Sequence, residues 1–416
     1  MKRSFMSLVC VAVACGLVGA TVPSPTQADD GPAQVVVGAV LPLTGEESRV
    51  GGYFKLAYEL ATKEINDAGG LELRAYHRRI PVKLIIYDDK TDPATSRNLY
   101  ERLAVQDNVD AMLGGYSTDL VQAQTVVAQQ HQIPYVGGGG AASAIYKRGF
   151  TTIFSLLASI ESLAYSECDF IEAMQAQKKL PRPLKMAIVA ENTSHGRDFV
   201  TGLMNRAKEK PQNYQIVMSE AFDLHGKDFT PLLQKVKAAN AQAFMSDAHL
   251  DDYITMQRQY AQLGLHHEYI TYGARGPEKS AREALGKNAD YIVAASWWSQ
   301  LIPTQAVRAF DAKWAKAYPT MNAEWYSALP YETARTLYIA MTQTGSVDKA
   351  KVVATLRHID ITDTVLPGGH IRFQPDGQIN APYVVTQNLP DNRTVIVAPA
   401  NEHTGDPVLP VPAPAP

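Results

Sequence analysis

Cysteine is nearly absent from this chain: three in 416 residues, two of them, Cys10 and Cys15, within the first fifteen. Once an amino-terminal leader is removed Cys168 stands alone, so no internal disulfide can form. Charged residues are also sparse, 19% of the total, and the formal net charge is −3, which excludes the basic excess that nucleic-acid binding calls for. Beyond the amino terminus no apolar run approaches the roughly 20 residues needed to cross a bilayer. Four catalytic or nucleotide signatures are missing as well: GxSxG of serine hydrolases, HExxH of zinc peptidases, GxGxxG and GxxxxGKS/T. A secreted hydrolase is therefore disfavoured, and the adjacent acids Asp88-Asp89 and Asp251-Asp252 read as solvated or structural pairs rather than catalytic ones.

What is present begins with Lys2 and Arg3, an apolar run over residues 5–22, then Pro23, Pro25 and the small-residue signal Thr26-Gln27-Ala28. That is the pattern of a secretory signal peptide over residues 1–28. Its removal takes the formal charge from −3 to −5 because Lys2 and Arg3 leave with it. A lipoprotein anchor at Cys15 is the variant reading, but the leucine usual three residues ahead of such a cysteine is missing. The mature chain is expected to be soluble and periplasmic. Cys168 lies in ESLAYSECDFIEAM, a helical pattern with no nearby histidine, and reads as a half-buried structural thiol.

Strand and helix then alternate. Residues 35–41 (VVVGAVL) are a β-branched run ended by Pro42, and residues 51–68 carry apolar side chains at helical spacing up to the stop signal Gly69-Gly70. Strands are expected at 82–87, 111–113 and 134–136, with helices at 95–106 and 120–130. After residue 156 the rhythm restarts, with strands at 186–190, 216–221, 243–246 and 269–272 and helices between them. The pattern predicts an α/β protein of two doubly wound parallel-sheet lobes, in which ligands bind at the carboxyl ends of strands where helix N-termini meet the crevice. The segment 401–416, rich in proline and alanine and without periodicity, is expected to be disordered.

Several phrases resemble the type I periplasmic solute-binding proteins, in particular the leucine/isoleucine/valine-binding branch: VGAVLPLTGEESRVGGYFKLAYELATKEINDAGG, VKLIIYDDKTDPATSRNLYERLAVQDNVDAMLGGYS, IPYVGGGGAAS, EWYSALPYETARTLYIAM and GHIRFQPDGQ. The resemblance covers nearly all of residues 34–390. It implies lobe one at 33–156 plus 294–364 and lobe two at 157–293 plus 365–398, joined by a three-strand hinge and closing on a solute. It implies no enzyme activity, no cofactor and no metal. The implied partners are a small-molecule ligand (an amino acid, amide or carboxylate) and the permease subunits of an ABC importer in the inner membrane, the receptor acting as a monomer. A sensor that presents its solute to a receptor kinase or chemoreceptor would share the same surface.

The resemblance also places candidate ligand contacts. Lobe one offers Arg49 in the turn 44–50, Ser117 and Thr118 at hydroxyl positions, and Gly139, Gly140 and Ala141 in the glycine-rich turn. Gly139 matches a carbonyl that takes an ammonium, and Ala141 stands where a hydroxyl donor is usual. Lobe two offers His195 and His249, where branched-chain binders place tyrosines, with Asp247, Tyr272 and Arg275. Arg275 falls in the neighbourhood of an acid that pairs with the ligand's ammonium, which reverses the charge; the alternatives that Arg275 anchors a carboxylate or that Asp247 takes an ammonium stay open. Trp297 is a candidate aromatic wall, with Trp298 and Tyr326 near it. The four glycines 137–140 read as a close-approach turn rather than a phosphate cradle, and His266-His267-Glu268 reads as surface because adjacent residues cannot all face one ion.

Overall fold

The computed structural model describes residues 31–413, together with Met1. The leader expected over residues 1–28, Cys15 included, lies outside the described residues apart from Met1. The first half runs β1 (Val35–Leu41), α1 (Ser48–Asp67), a small ribbon of β2 (Leu71–Leu73) and β3 (Arg78–Ile80), β4 (Val82–Asp88), α2 (Pro93–Val105), β5 (Ala111–Leu113), α3 (Thr118–Gln130), β6 (Tyr135–Gly137), α4 (Ser143–Tyr146) and β7 (Ile153–Ser155). Its sheet is parallel throughout, in the order β4-β1-β5-β6-β7. The β-branched run of β1 lies between β4 and β5 with helices on both faces, which is why six of its seven residues are buried.

The second unit runs α5 (Ile160–Ala176), β8 (Leu184–Glu191), α6 (Ser194–Glu209), β9 (Tyr214–Phe222), α7 (Thr230–Ala238), β10 (Ala243–Asp247), α8 (Leu250–Gln262), β11 (Tyr269–Tyr272), α9 (Lys279–Leu285) and β12 (Val293–Ser296). The chain then returns to the first unit as α10 (Gln305–Ala317), α11 (Trp325–Thr344) and α12 (Lys349–Arg357), passes a short ribbon of β13 (Ile361–Thr362) and β14 (His370–Ile371), and re-enters the second as β15 (Val384–Leu389) and β16 (Arg393–Ala398). The second sheet has the order β16-β15-β12-β11-β10-β8-β9, with β15 and β16 antiparallel. β12 is hydrogen-bonded to β11 and β15, so the crossing back to lobe one falls after Ser296 and not at residue 294 as expected.

The three crossings lie side by side. Ser155 and Gly377–Ile379 exchange backbone hydrogen bonds, the Trp297 indole donates to the Ala158 carbonyl at 2.9 Å, and the Tyr383 hydroxyl donates to the Ser159 carbonyl. Three expectations fail. The tail is ordered as far as residue 413: Val411 N–H donates to the Glu268 carbonyl, Val408 pairs in both directions with the Gln387 amide, and Leu409 is buried. His267 is not on the surface; it is buried against Phe244, accepts or donates at 2.6 Å with the Tyr260 hydroxyl, and burial pushes its imidazole down to about 4. Cys168 is fully rather than half buried, and burial raises its thiol well above the usual range.

Candidate functional site

The turns that follow β1, β5 and β6 face lobe two, and Asp88 ties the first of these down. Its carboxylate accepts from the backbone of Leu43, Thr44 and Lys90 and from the Thr44 hydroxyl. Desolvation works against the charge, but these hydrogen bonds hold the carboxyl below its ordinary value. Asp89 beside it is buried, accepts from the Ser96 hydroxyl at 3.0 Å, and is pushed up by burial to about 6. Both acids are structural, and what they fix is the loop that carries Glu46, Glu47 and Arg49.

The second turn follows β5. Gly115 lies so close to β1 that a Cβ there would sit 2.6 Å from the Val40 carbonyl oxygen. That close approach aims Tyr116, Ser117 and Thr118 at the cleft. Ser117 is the N-cap of α3, yet its side chain makes no capping hydrogen bond, so the first-turn N–H groups and the Ser117 hydroxyl are free for an anion. In the third turn Gly140 adopts φ +75°. Gly139 packs against Gly115, whose carbonyl oxygen a Cβ would meet at 2.3 Å.

Lobe two answers with three pairs, each an imidazole or guanidinium beside a buried acid. His195 Nε2 lies 3.2 Å from Asp247 Oδ2; burial disfavours its charge, but Asp247 and Glu191 together raise its pKa. His249 Nδ1 lies 2.6 Å from Glu191 Oε2. Against the cost of burial, Glu191 lifts His249 to about 9, and His249 holds Glu191 at about 2. Arg275 donates to Glu278 Oε1 at 3.2 Å and to the Tyr116 hydroxyl of lobe one at 2.8 Å, with its guanidinium over the Trp325 and Tyr326 rings. Glu278 is pushed up by burial, although Arg275 and Arg49 pull the other way.

Between the lobes lies a cavity lined by Glu47, Tyr116, Ser117, Thr118, the exposed Asp119, Gly140, Ala141, Leu157, Glu191, Thr193, His195, Leu224, His249, Arg275, Trp297 and Trp325. It leaves about 60 Å³ for the centres of water-sized atoms, so the lobes are nearly shut. Contacts from one lobe to the other are polar: Arg49 to Glu278 at 2.7 Å, Tyr326 hydroxyl to Glu278 at 2.6 Å, His249 Nε2 to Glu47 at 3.5 Å, His225 to Glu46 at 2.8 Å, and Ser143 N–H to Asp198 at 2.7 Å. A wider groove of about 430 Å³ opens beyond Trp325, between Glu278, Arg282, Trp298 and Glu324. Ser117, Thr118 and the two histidines do not reach it, so the smaller cavity is the candidate site.

Of the twelve predicted contacts, eight line this cavity: Ser117, Thr118, Gly140, Ala141, His195, His249, Arg275 and Trp297. The other four do not. Arg49 is held outside by Glu278 and Glu324, Gly139 is packed on Gly115, and Asp247 lies behind His195. Tyr272 is wholly buried in the lobe-two core, its ring on Tyr253 and its hydroxyl 3.0 Å from the Gln257 amide oxygen. Tyr326 stacks behind Trp325, and Trp298 turns to Phe310. Sequence reasoning missed Glu47, Tyr116, Glu191, Trp325 and Glu278. Four of these lay within motifs it used: Glu47 in LTGEESR, Tyr116 in GGYS, Glu191 at the head of ENTSHG and Trp325 in EWYSALPYE. Among the described residues no group of three or more His, Cys, Asp or Glu is placed to hold a metal ion, and no helix is long and apolar enough to cross a membrane.

The family model described as "periplasmic binding protein" matches residues 34–392. A curated relative, Leu/Ile/Val-binding protein homolog 8 of Brucella abortus (strain 2308), is 23% identical over 382 residues, covering 89% of this chain and 91% of the relative. Two solved structures share the fold. One is the branched-chain amino acid transporter substrate-binding protein LivJ of Streptococcus pneumoniae in complex with isoleucine, with TM-score 0.74, 17% identity and coverage of 88% of this chain and 100% of that one. The other is an ABC transporter solute-binding protein from R. palustris in complex with benzoate, with TM-score 0.74, 16% identity and coverage of 90% and 98%.

Proposed function

This chain belongs to the periplasmic binding protein family, and on that premise we propose that it is an exported receptor that traps a small carboxylate-bearing solute between its lobes and delivers it to the permease of an ABC importer. The observation that carries the reading is the uncapped N-terminus of α3 opening into a cavity shared by both lobes. Free N–H groups, the positive end of the helix dipole and the Ser117 and Thr118 hydroxyls together suit a carboxylate. Leu157, Leu224, Trp297 and Trp325 supply apolar walls for the rest of the molecule. The solute is returned unchanged, as by a receptor: the cavity's His195, His249, Glu191, Glu47 and Arg275 are ion-paired. Closure is favoured to the extent that the solute binds the shut form better than the open one. The leader-like amino terminus and the family both support a periplasmic site of action.

A thermal-shift panel on the refolded, ligand-stripped mature protein tests this. Amino acids, amides, and aliphatic and aromatic carboxylates are compared. A ligand at about 100 times its Kd should add about 2.7 kcal/mol of stability. A panel in which carboxylates leave the melting temperature unchanged while amides or neutral solutes raise it would overturn the carboxylate reading.

A further inference from the structure

Two carboxylates of opposite lobes, Glu47 and Glu191, line the cavity, and a single imidazole lies between them: His249 Nδ1 is 2.6 Å from Glu191 Oε2, and His249 Nε2 is 3.5 Å from Glu47 Oε1. We infer that the His249 imidazolium is a built-in cation filling the position an amino-acid ligand's ammonium would take, so that the solute is a carboxylic acid without an α-amine. The inference rests on reading the cleft as a solute trap.

The geometry supports it in three ways. First, a pair of acids from the two lobes is what would hold a ligand's ammonium in the shut form, and here one is hydrogen-bonded to the imidazole and the other in ion-pair contact with it. Fully charged at neutral pH because Glu191 outweighs burial, His249 would repel a second cation placed beside it.

Second, every other buried acid near the cavity wall is spoken for. Asp247 is covered by His195, and Glu278 is shared by Arg49, Arg275 and the Tyr326 hydroxyl. Asp119 is exposed. The remaining charged groups that face His249 are Arg275, His195 and Asp252, two of them positive, so an incoming ammonium finds no unpaired buried carboxylate.

Third, the imidazole comes from the N-cap position of α8 without capping that helix. An N-cap side chain usually accepts from the helix backbone. This one is spent on Glu191 and Glu47, which marks it as placed for the cavity.

Matched pairs that differ only in the amine decide the matter: leucine against 4-methylpentanoate, and phenylalanine against 3-phenylpropanoate, titrated calorimetrically into the ligand-stripped mature protein at neutral pH. For whichever carbon skeleton binds, the amine-free acid should bind at least about tenfold more tightly. His249→Ala vacates the space between the two acids and should turn the preference toward the amine-bearing member by a similar factor. Equal or tighter binding of the amino acid to the native protein overturns the inference while leaving the solute-trap reading standing. Should the variant not fold, the native comparison alone decides. Binding of neither class removes the reading of the cleft and this inference with it.

Discussion

The guanidinium of Arg275, carried by lobe two, donates to the hydroxyl of Tyr116, carried by lobe one, at 2.8 Å, and both residues are buried. The bond exists only when the lobes are together. It therefore belongs to the energetics of closure rather than to the stability of either lobe. Tyr116→Phe removes the acceptor and keeps the ring against Phe54, Trp325 and Tyr326. A hydrogen bond to a charged group contributes about 1.5–3 kcal/mol. Solute affinity should fall by that amount in calorimetry, with the melting temperature of the ligand-free protein little changed.

Glu278 balances two guanidinium groups at once, Arg275 within its own lobe and Arg49 across the cleft. Glu278→Gln keeps the shape and deletes the countercharge. Stranding a buried ion costs about 3–5 kcal/mol, and the lobes can escape that cost by opening. The variant should have a larger radius of gyration in solution scattering than the native protein under saturating solute; an unchanged radius would show that Glu278 does not hold the shut form.

The pair His249–Glu191 sets a pH window. The folded protein favours charged His249, so its contribution is whole below the ordinary 6.5 and is lost as pH rises through about 9. Charged Glu191 contributes fully above the ordinary 4.5 and fades as pH falls through about 2. The pair is thus at full strength between these ordinary values. His267 acts in the opposite sense: held neutral by burial, it contributes above 6.5 and loses that contribution as pH falls through about 4. Melting temperature should decline from pH 7 to pH 9, and His249→Gln should flatten that alkaline limb and weaken the part of the acid limb that Glu191 carries, leaving the part that His267 carries.

The tail is part of lobe two. Glu402 accepts from the Gly368 N–H, Val408 pairs with Gln387, and Val411 pairs with Glu268. Truncation after residue 400 removes these bonds and uncovers what Leu409 buries. At about 0.5–1.5 kcal/mol per hydrogen bond, a loss of about 2–5 kcal/mol is expected in urea denaturation, against no loss if the segment is passive.

Much of the fold was legible because strands buried on both faces are short apolar runs: 35–41, 111–113 and 269–272 coincide with strands of the structure. The closing strands β15 and β16 also carry β-branched runs, but they are antiparallel and remote in sequence from the rest of their sheet, so their lobe followed from family resemblance. The tail was misread because its pairing runs through backbone atoms and a few side chains, which leave no periodic trace in sequence. His267 was misread because a turn residue shows its neighbours in sequence but not Tyr260 and Phe244, which enclose it. At the site, turns and glycines were readable since backbone approach constrains them. The acids Glu191 and Glu278 were not, since a carboxylate in a loop looks the same whether it is solvated or buried beneath a cation.

The loop pinned by Asp88 has one more consequence. Glu46, Glu47 and Arg49, within four residues of one another, meet His225, His249 and Glu278 on three separate elements of lobe two. Ionic contacts of 2.7–3.5 Å tolerate little extra distance, so a solute that props the lobes apart by an ångström or two breaks all three together. The loop thus works as a thickness gauge. Solutes are sorted by whether the gap they leave is narrow enough for the gauge to engage, a sharper cutoff than the walls of the cavity alone would impose.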